Sequence, residues 1–177
     1  MKKLEDFIKL YPESLDDSLC DAIINQKDLN FFTASTGGGE IKKDYRNCYA
    51  KKLDDQFTSD VYEAVSKVLK KYNEDIPSFT FGNTIEDTGY DHLLYIGKNN
   101  GFYKEHVDHF DLQPRLISIS FLLNDNFKGG EFAFFGGEYK IPKKKGSALI
   151  FPSNFCYPHA VLPVSGGDRH AVITWVH

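Results

Sequence analysis

The sequence predicts an α+β, mainly β fold: a jelly-roll-like β-sandwich, with N-terminal helices packed on one sheet. Three observations carry this. Apolar residues recur at helical spacing in the first 78 residues. From residue 79 onward, short β-rich runs alternate with Gly, Pro and Asn. The 15 Phe and 10 Tyr among 177 residues suit a strand-rich core. No repeat, low-complexity tract or linker interrupts the chain, so residues 1–177 are expected to form a single domain. In it, 1–78 would be a helical buttress and 79–177 the jelly-roll core.

The first helix is expected over residues 14–29, with Ser14 as N-cap and Leu15, Leu19, Ala22, Ile23 and Ile24 on its apolar face. Thr36-Gly37-Gly38-Gly39-Glu40 reads as a mobile surface loop; without a following Lys-Ser/Thr it is not a phosphate-binding loop. A second helix is expected from Lys51 toward Tyr72, where Leu53, Phe57, Val61, Ala64, Val65, Val68 and Leu69 form a stripe that would cover a sheet. Strands are expected at 90–96, 116–123, 131–135, 138–141, 147–151, 159–164 and 169–176. Lys140 and Lys143-Lys144-Lys145 flank Pro142 and precede Gly146, as in a solvated hairpin turn.

A net charge of -4 carries no electrostatic footprint of a nucleic-acid binder. Cys20, Cys48 and Cys156 are odd in number and irregularly spaced, so free thiols in a reducing cytoplasm are expected rather than a disulfide framework. Neither a secretory leader nor an apolar run long enough for a bilayer is apparent, and no membrane partner is expected.

The chemistry concentrates in Tyr103-Lys104-Glu105-His106-Val107-Asp108-His109. In an extended chain His106 and Asp108, two apart, project to the same face, and His109 to the other. Two His and one carboxylate on one side of a metal, leaving open positions, is the arrangement of non-haem Fe(II) oxygenases. Candidates for the remaining ligand are His159, His170 and His177; His159 is favoured because it opens a strand after the turn-rich stretch Phe151–Pro158. Ten residues beyond it stands Arg169, opening an apolar strand. Its planar guanidinium suits a carboxylate, so a dicarboxylate could span from the metal to Arg169. A surface Arg169 paired with Asp168 or another acid is the plainer alternative.

The order of elements resembles the prolyl 4-hydroxylase-like branch of the 2-oxoglutarate/Fe(II)-dependent dioxygenases, including the short PKHD-type members. The resemblance covers about residues 90–177. It rests on Leu94-Tyr95, Gly101-Phe102-Tyr103-Lys104-Glu105-His106-Val107-Asp108, Ile119–Asp125, Gly129-Gly130-Glu131-Phe132, Gly146–Pro152, His159-Ala160-Val161 and Gly167-Asp168-Arg169 through Trp175. It implies His106, Asp108 and His159 as iron ligands, Arg169 on the C5 carboxylate of 2-oxoglutarate, and Tyr95 as a further co-substrate contact, with Tyr103 a competitor for that role. Gly129-Gly130 would be a structural turn and Trp175 a core residue. Tyr45-Arg46-Asn47-Cys48 resembles a family element beside the substrate, so residues 33–49 are a candidate lid.

The implied reaction consumes 2-oxoglutarate and O2, releases succinate and CO2, and hydroxylates a C–H bond, with ascorbate in a supporting role. Its implied substrate is a prolyl residue in a peptide or protein, or alternatively a free amino acid or other small molecule. Two other classes stay open at this point. A zinc hydrolase can use two His and an Asp but has no need of Arg169. A non-catalytic binding module would have no need of an intact ligand set.

Overall fold

The computed structural model describes residues 2–26, 30–37, 39–77, 86–109 and 114–177. In chain order it contains β1 (Lys9–Tyr11), α1 (Asp17–Ile24), β2 (Phe32–Thr33), β3 (Arg46–Asn47), β4 (Tyr49–Lys52) and α2 (Asp55–Asp75). There follow β5 (Asp91–Tyr95), β6 (Phe102–His106), β7 (Ile117–Leu122), β8 (Lys128–Gly129), β9 (Phe132–Phe134) and β10 (Tyr139–Lys140). The chain ends through β11 (Ala148–Pro152), β12 (His159–Val161), β13 (Val164–Ser165) and β14 (Arg169–Val176).

These strands build a seven-stranded sheet, β1-β11-β7-β14-β5-β4-β2, and a five-stranded sheet, β10-β9-β12-β6-β3; β13 and β8 pair separately. The named pairings are antiparallel. Alternation sorts the residues of the large sheet into two layers. Ile117, Ile119, Phe121, Val172 and Val176 pack with Ile23 of α1 and Val61, Ala64, Val65, Val68 and Tyr72 of α2. Leu93, Tyr95 and Leu122 pack instead with Val161 and Val164, inside the jelly roll. The helices thus back one face of the large sheet, while the other face is left to form a cavity with the smaller sheet.

The helix expected over 14–29 starts later. Ser14 Oγ donates to the Tyr11 carbonyl, and the Ser14 and Leu15 amides both donate to the Gly146 carbonyl, which ties 14–15 to the turn before β11. Asp16 takes the cap position instead, and residues 27–29 lie outside the described residues. Similarly, Lys51 and Lys52 are not helical: they pair with His92 and Asp91 in the β4–β5 ladder, and α2 begins at Asp55 and runs to Asp75. The first 78 residues are therefore not purely a buttress, since β1, β3 and β4 join the sheets. The run expected over 159–164 divides around Pro163, which has no amide hydrogen for a ladder. The triple-glycine stretch is partly tied, with Thr36 donating to the Glu40 carbonyl and Gly39 to the Thr36 carbonyl; Gly38 lies outside the described residues. Nor is the lysine turn simply solvated: Lys143 Nζ donates to the Phe127 and Gly129 carbonyls at 3.0 Å each.

Candidate active site

Strand pairing brings the three metal-ligand candidates together. β6 ends at His106, Asp108 follows at a bend, and β12 begins at His159, whose Cα faces that of His106 across the antiparallel ladder. One ligand atom from each lies within 4.8 Å of the others. His106 Nε2 is 3.5 Å from Asp108 Oδ1, and His159 Nε2 is 3.7 Å from Asp108 Oδ2.

The two rings are oriented by backbone. His106 Nδ1 meets the Lys104 carbonyl at 2.8 Å, and His159 Nδ1 meets the Tyr157 carbonyl at 3.1 Å. A carbonyl only accepts, so each Nδ1 carries a hydrogen and each Nε2 is the ring atom left to the shared space. Burial pushes the His159 imidazole down to about 4 despite the nearby Asp108, which keeps that ring neutral at pH 7. Burial alone would raise Asp108; the His159 and His106 rings and a hydrogen bond from Ser118 outweigh it and hold the carboxyl well below its ordinary range. A neutral His159 imidazole and an ionised Asp108 carboxylate, with the His106 ring beside them, make a donor set that suits a divalent iron.

A cavity of about 350 Å³ opens beside the triad. Its wall includes Tyr95, Tyr103, Ser120, Phe132, Ile173 and Trp175. Arg169 is 2% exposed, its Nε donating to the Gly130 carbonyl at 3.1 Å and its guanidinium 5.1 Å from the Tyr95 ring and 5.3 Å from the Phe132 ring. Among the described residues no carboxylate pairs with it. Asp168, the alternative partner, instead accepts the Gly97 amide. A buried guanidinium held by one carbonyl and two rings is costly unless an anion joins it, and the C5 carboxylate of 2-oxoglutarate fits that need. Arg169 does not itself line the cavity; it sits against Tyr95 and Phe132, which do. Gly130, at φ 69°, lets three side chains close in: an added Cβ would stand 2.8 Å from Phe127 Cε2, 3.0 Å from Val164 Cγ2 and 3.2 Å from Arg169 Cδ. The Gly129-Gly130 turn therefore serves the arginine as well as the chain reversal.

The remaining expected residues separate cleanly. Tyr95 is 1% exposed, faces Arg169 in register and packs in one apolar cluster with Cys48. Tyr103 stacks on His106 with centroids 3.5 Å apart and carries the Arg46 guanidinium 4.5 Å from its ring; burial pushes its phenol up to about 12. It braces a triad ring. His109 is exposed and bonds the Arg115 carbonyl, away from the triad. His170 turns to the opposite face, where its Nδ1 meets His92 Nε2 at 3.0 Å, and the exposed His177 bonds through its backbone to Glu86.

Two features escape the sequence reading. Trp175, expected in the core, lines the cavity with the Arg115 guanidinium 3.5 Å from its ring. Its alternation with Val176 along β14 is the signal that could have shown this. Arg115 and Ser118 also line the cavity, and nothing in their local sequence distinguishes them. Arg46 and residues 34–37 border the same space, which brings part of the 33–49 segment to the site.

Residues 91–177 match the sequence model of the 2OG-Fe(II) oxygenase superfamily. A PKHD-type hydroxylase of Prochlorococcus marinus is 27% identical over 175 residues, covering 89% of this chain and 76% of the relative. Another, from Maricaulis maris, is 34% identical over 80 residues, 42% of this chain and 36% of the relative. Among solved structures, a Trichoplax adhaerens prolyl hydroxylase, in complex with a peptide fragment of the hypoxia inducible factor oxygen degradation domain, superposes with a TM-score of 0.78 at 18% identity, covering 97% of this chain and 83% of that one. A viral collagen prolyl hydroxylase of Paramecium Bursaria Chlorella virus-1, in complex with 2-oxoglutarate, gives 0.69 at 23% identity, covering 96% and 95%. No helix among the described residues is long and apolar enough to cross a membrane. The sequence match over residues 91–177 and the hydroxylase relatives make the chain a 2OG-Fe(II) oxygenase, of a class dependent on Fe(II), 2-oxoglutarate and O2, and its fold is the one shared by the prolyl hydroxylases it superposes on.

Proposed function

We propose that His106, Asp108 and His159 hold the iron, that Arg169 with Tyr95 holds the C5 carboxylate of 2-oxoglutarate, and that the enzyme hydroxylates a prolyl residue in a peptide or protein. The observation that carries the reading is a converging His-Asp-His cluster beside a cavity whose aromatic wall backs onto a buried arginine that has no acid partner among the described residues. Bound iron with the keto acid supplies oxygen activation, releasing succinate and CO2. The chain's own residues orient and shield that chemistry. The Lys104 and Tyr157 carbonyls fix the two imidazoles, Phe132, Phe134 and Phe151 surround the His159 ring, and Arg169 sets the far end of the co-substrate.

The substrate would enter past Trp175, Arg115 and residues 34–37, with 33–49 as a lid on a single domain. A flat indole stacked with a guanidinium offers a pyrrolidine ring one apolar surface and a peptide carbonyl one donor. Free thiols at Cys20, Cys48 and Cys156 support a cytoplasmic setting.

Incubation of the enzyme with Fe(II), 2-oxoglutarate, ascorbate and a panel of proline-containing peptides and free amino acids, read by mass spectrometry, tests the substrate class. One added oxygen on a peptide prolyl residue is the expected product. Oxygen added to free amino acids and to none of the peptides would overturn the peptide reading while leaving the reaction class intact.

A further inference from the structure

The Asp108 carboxylate is not held by the histidines alone. Ser118 Oγ, 3% exposed, lies 2.6 Å from Asp108 Oδ2, and Ser153 Oγ, 1% exposed, lies 2.8 Å from Ser118 Oγ. An ionised carboxylate can only accept, so the Ser118 proton points to Asp108. A hydroxyl has one proton, so the Ser153 proton must fill the other contact. The chain of hydrogen bonds has one direction, Ser153 to Ser118 to Asp108. Its members sit on fixed backbone: Ser118 pairs with Phe151 in the β7–β11 ladder, the Ser153 amide donates to the Leu116 carbonyl, and its carbonyl accepts the His109 amide. Arg115 Nη1 adds a bond to the Asp108 carbonyl at 3.2 Å.

We infer that Ser118 and Ser153 form a buried hydroxyl relay that sets the Asp108 carboxylate for metal binding, Ser118 directly and Ser153 through it. This rests on the reading of Asp108 as an iron ligand. A carboxylate can rotate about its last bond, and both oxygens can crowd one ion. With Oδ2, 3.7 Å from His159 Nε2, tied to Ser118, that rotation is restrained and Oδ1, 3.5 Å from His106 Nε2, is the oxygen more available to the metal. One oxygen rather than two at the ion keeps positions open for the keto acid and O2. Hydrogen-bonded partners of metal ligands act in this way, and their removal typically weakens metal affinity about 10- to 100-fold. Ser118 and Ser153 are therefore positioning residues, not catalytic ones.

Co(II) titration of the metal-free protein, followed by visible absorption and calorimetry without any turnover, tests this in wild type, Ser118→Ala, Ser118→Thr, Ser153→Ala and the double alanine variant. Thermal unfolding of each metal-free protein reports folding separately. The expected result is a Co(II) affinity about 10- to 100-fold lower in Ser118→Ala and restored in Ser118→Thr. Ser153→Ala should lose less, and the double variant should match Ser118→Ala, because Ser153 acts only through Ser118. Wild-type affinity in folded Ser118→Ala overturns the relay, as do independent, additive losses in the double variant. Should Ser118→Ala not fold, Ser153→Ala decides, and an unchanged affinity there overturns the relay equally. If the wild type binds no Co(II), or His106→Ala binds it as tightly, the metal-site reading itself falls and the relay with it.

Discussion

Alanine at His106, Asp108 or His159 is expected to reduce succinate release below detection while the protein still unfolds cooperatively. Each substitution removes one of three converging donors, and two remaining donors hold a divalent ion weakly in competition with water. The fold should survive because the β-core does not depend on these side chains: Ile117, Ile119, Phe121, Val172 and Val176 pack against the helices on the opposite face of the large sheet. His109→Ala is the control. Its ring bonds the Arg115 carbonyl outside the triad, and its backbone bond to Ser153 persists in alanine, so succinate release should stay near the wild-type level. A folded His109→Ala as inactive as His106→Ala would show that the wrong face of the strand has been assigned to the metal.

Arg169→Ala should raise the 2-oxoglutarate requirement far more than it disturbs iron affinity. Loss of a charge-assisted pair in a desolvated pocket costs on the order of 2–5 kcal/mol, roughly thirty-fold to several-thousand-fold in affinity. Arg169→Lys should be milder, since it keeps a cation while losing the planar two-pronged geometry. Titrating 2-oxoglutarate against succinate release compares the variants. Should Arg169→Ala leave the requirement unchanged, neither His170 nor Lys104 has the geometry to take over. His170 faces His92 on the far side of the sheet, and Lys104 is exposed. Arg46, which borders the cavity and stacks on Tyr103, would then be the guanidinium to replace.

The site was more legible than the sheet that carries it, and the reason lies in what each leaves in the sequence. His106 and Asp108 at a spacing of two, a later His opening a strand and an Arg ten residues beyond are local marks of chemistry that survive without knowledge of strand order. β14 was legible because Ala171, Val172, Ile173 and Val176 make an apolar run with clear ends. β6 was not among the expected runs, because Lys104 and Glu105 interrupt its alternation; it is extended through pairing with β12 and β3. β1 and β4 are equally hidden: Lys9, Lys51 and Lys52 are poor strand formers that the ladder neighbours hold in place. Trp175 was misread because a large apolar ring suits a core and a cavity wall alike, and only its neighbours, Arg115 and the cavity, distinguish the two. The hydroxyl relay has no sequence signal, since Ser118 and Ser153 meet only when β7 and the chain beyond β11 lie side by side.

Anaerobic absorption spectroscopy of the purified protein, with Fe(II) and then 2-oxoglutarate added, tests the central claim most directly. A keto acid chelating Fe(II) gives a weak visible charge-transfer band, and zinc gives none. The expected result is a band in the wild type, lost in His106→Ala, Asp108→Ala and His159→Ala, and kept in Arg169→Ala at a much higher 2-oxoglutarate concentration. Iron bound at full occupancy with saturating 2-oxoglutarate and no band would contradict the assignment of His106, Asp108 and His159 as an iron site open to the co-substrate.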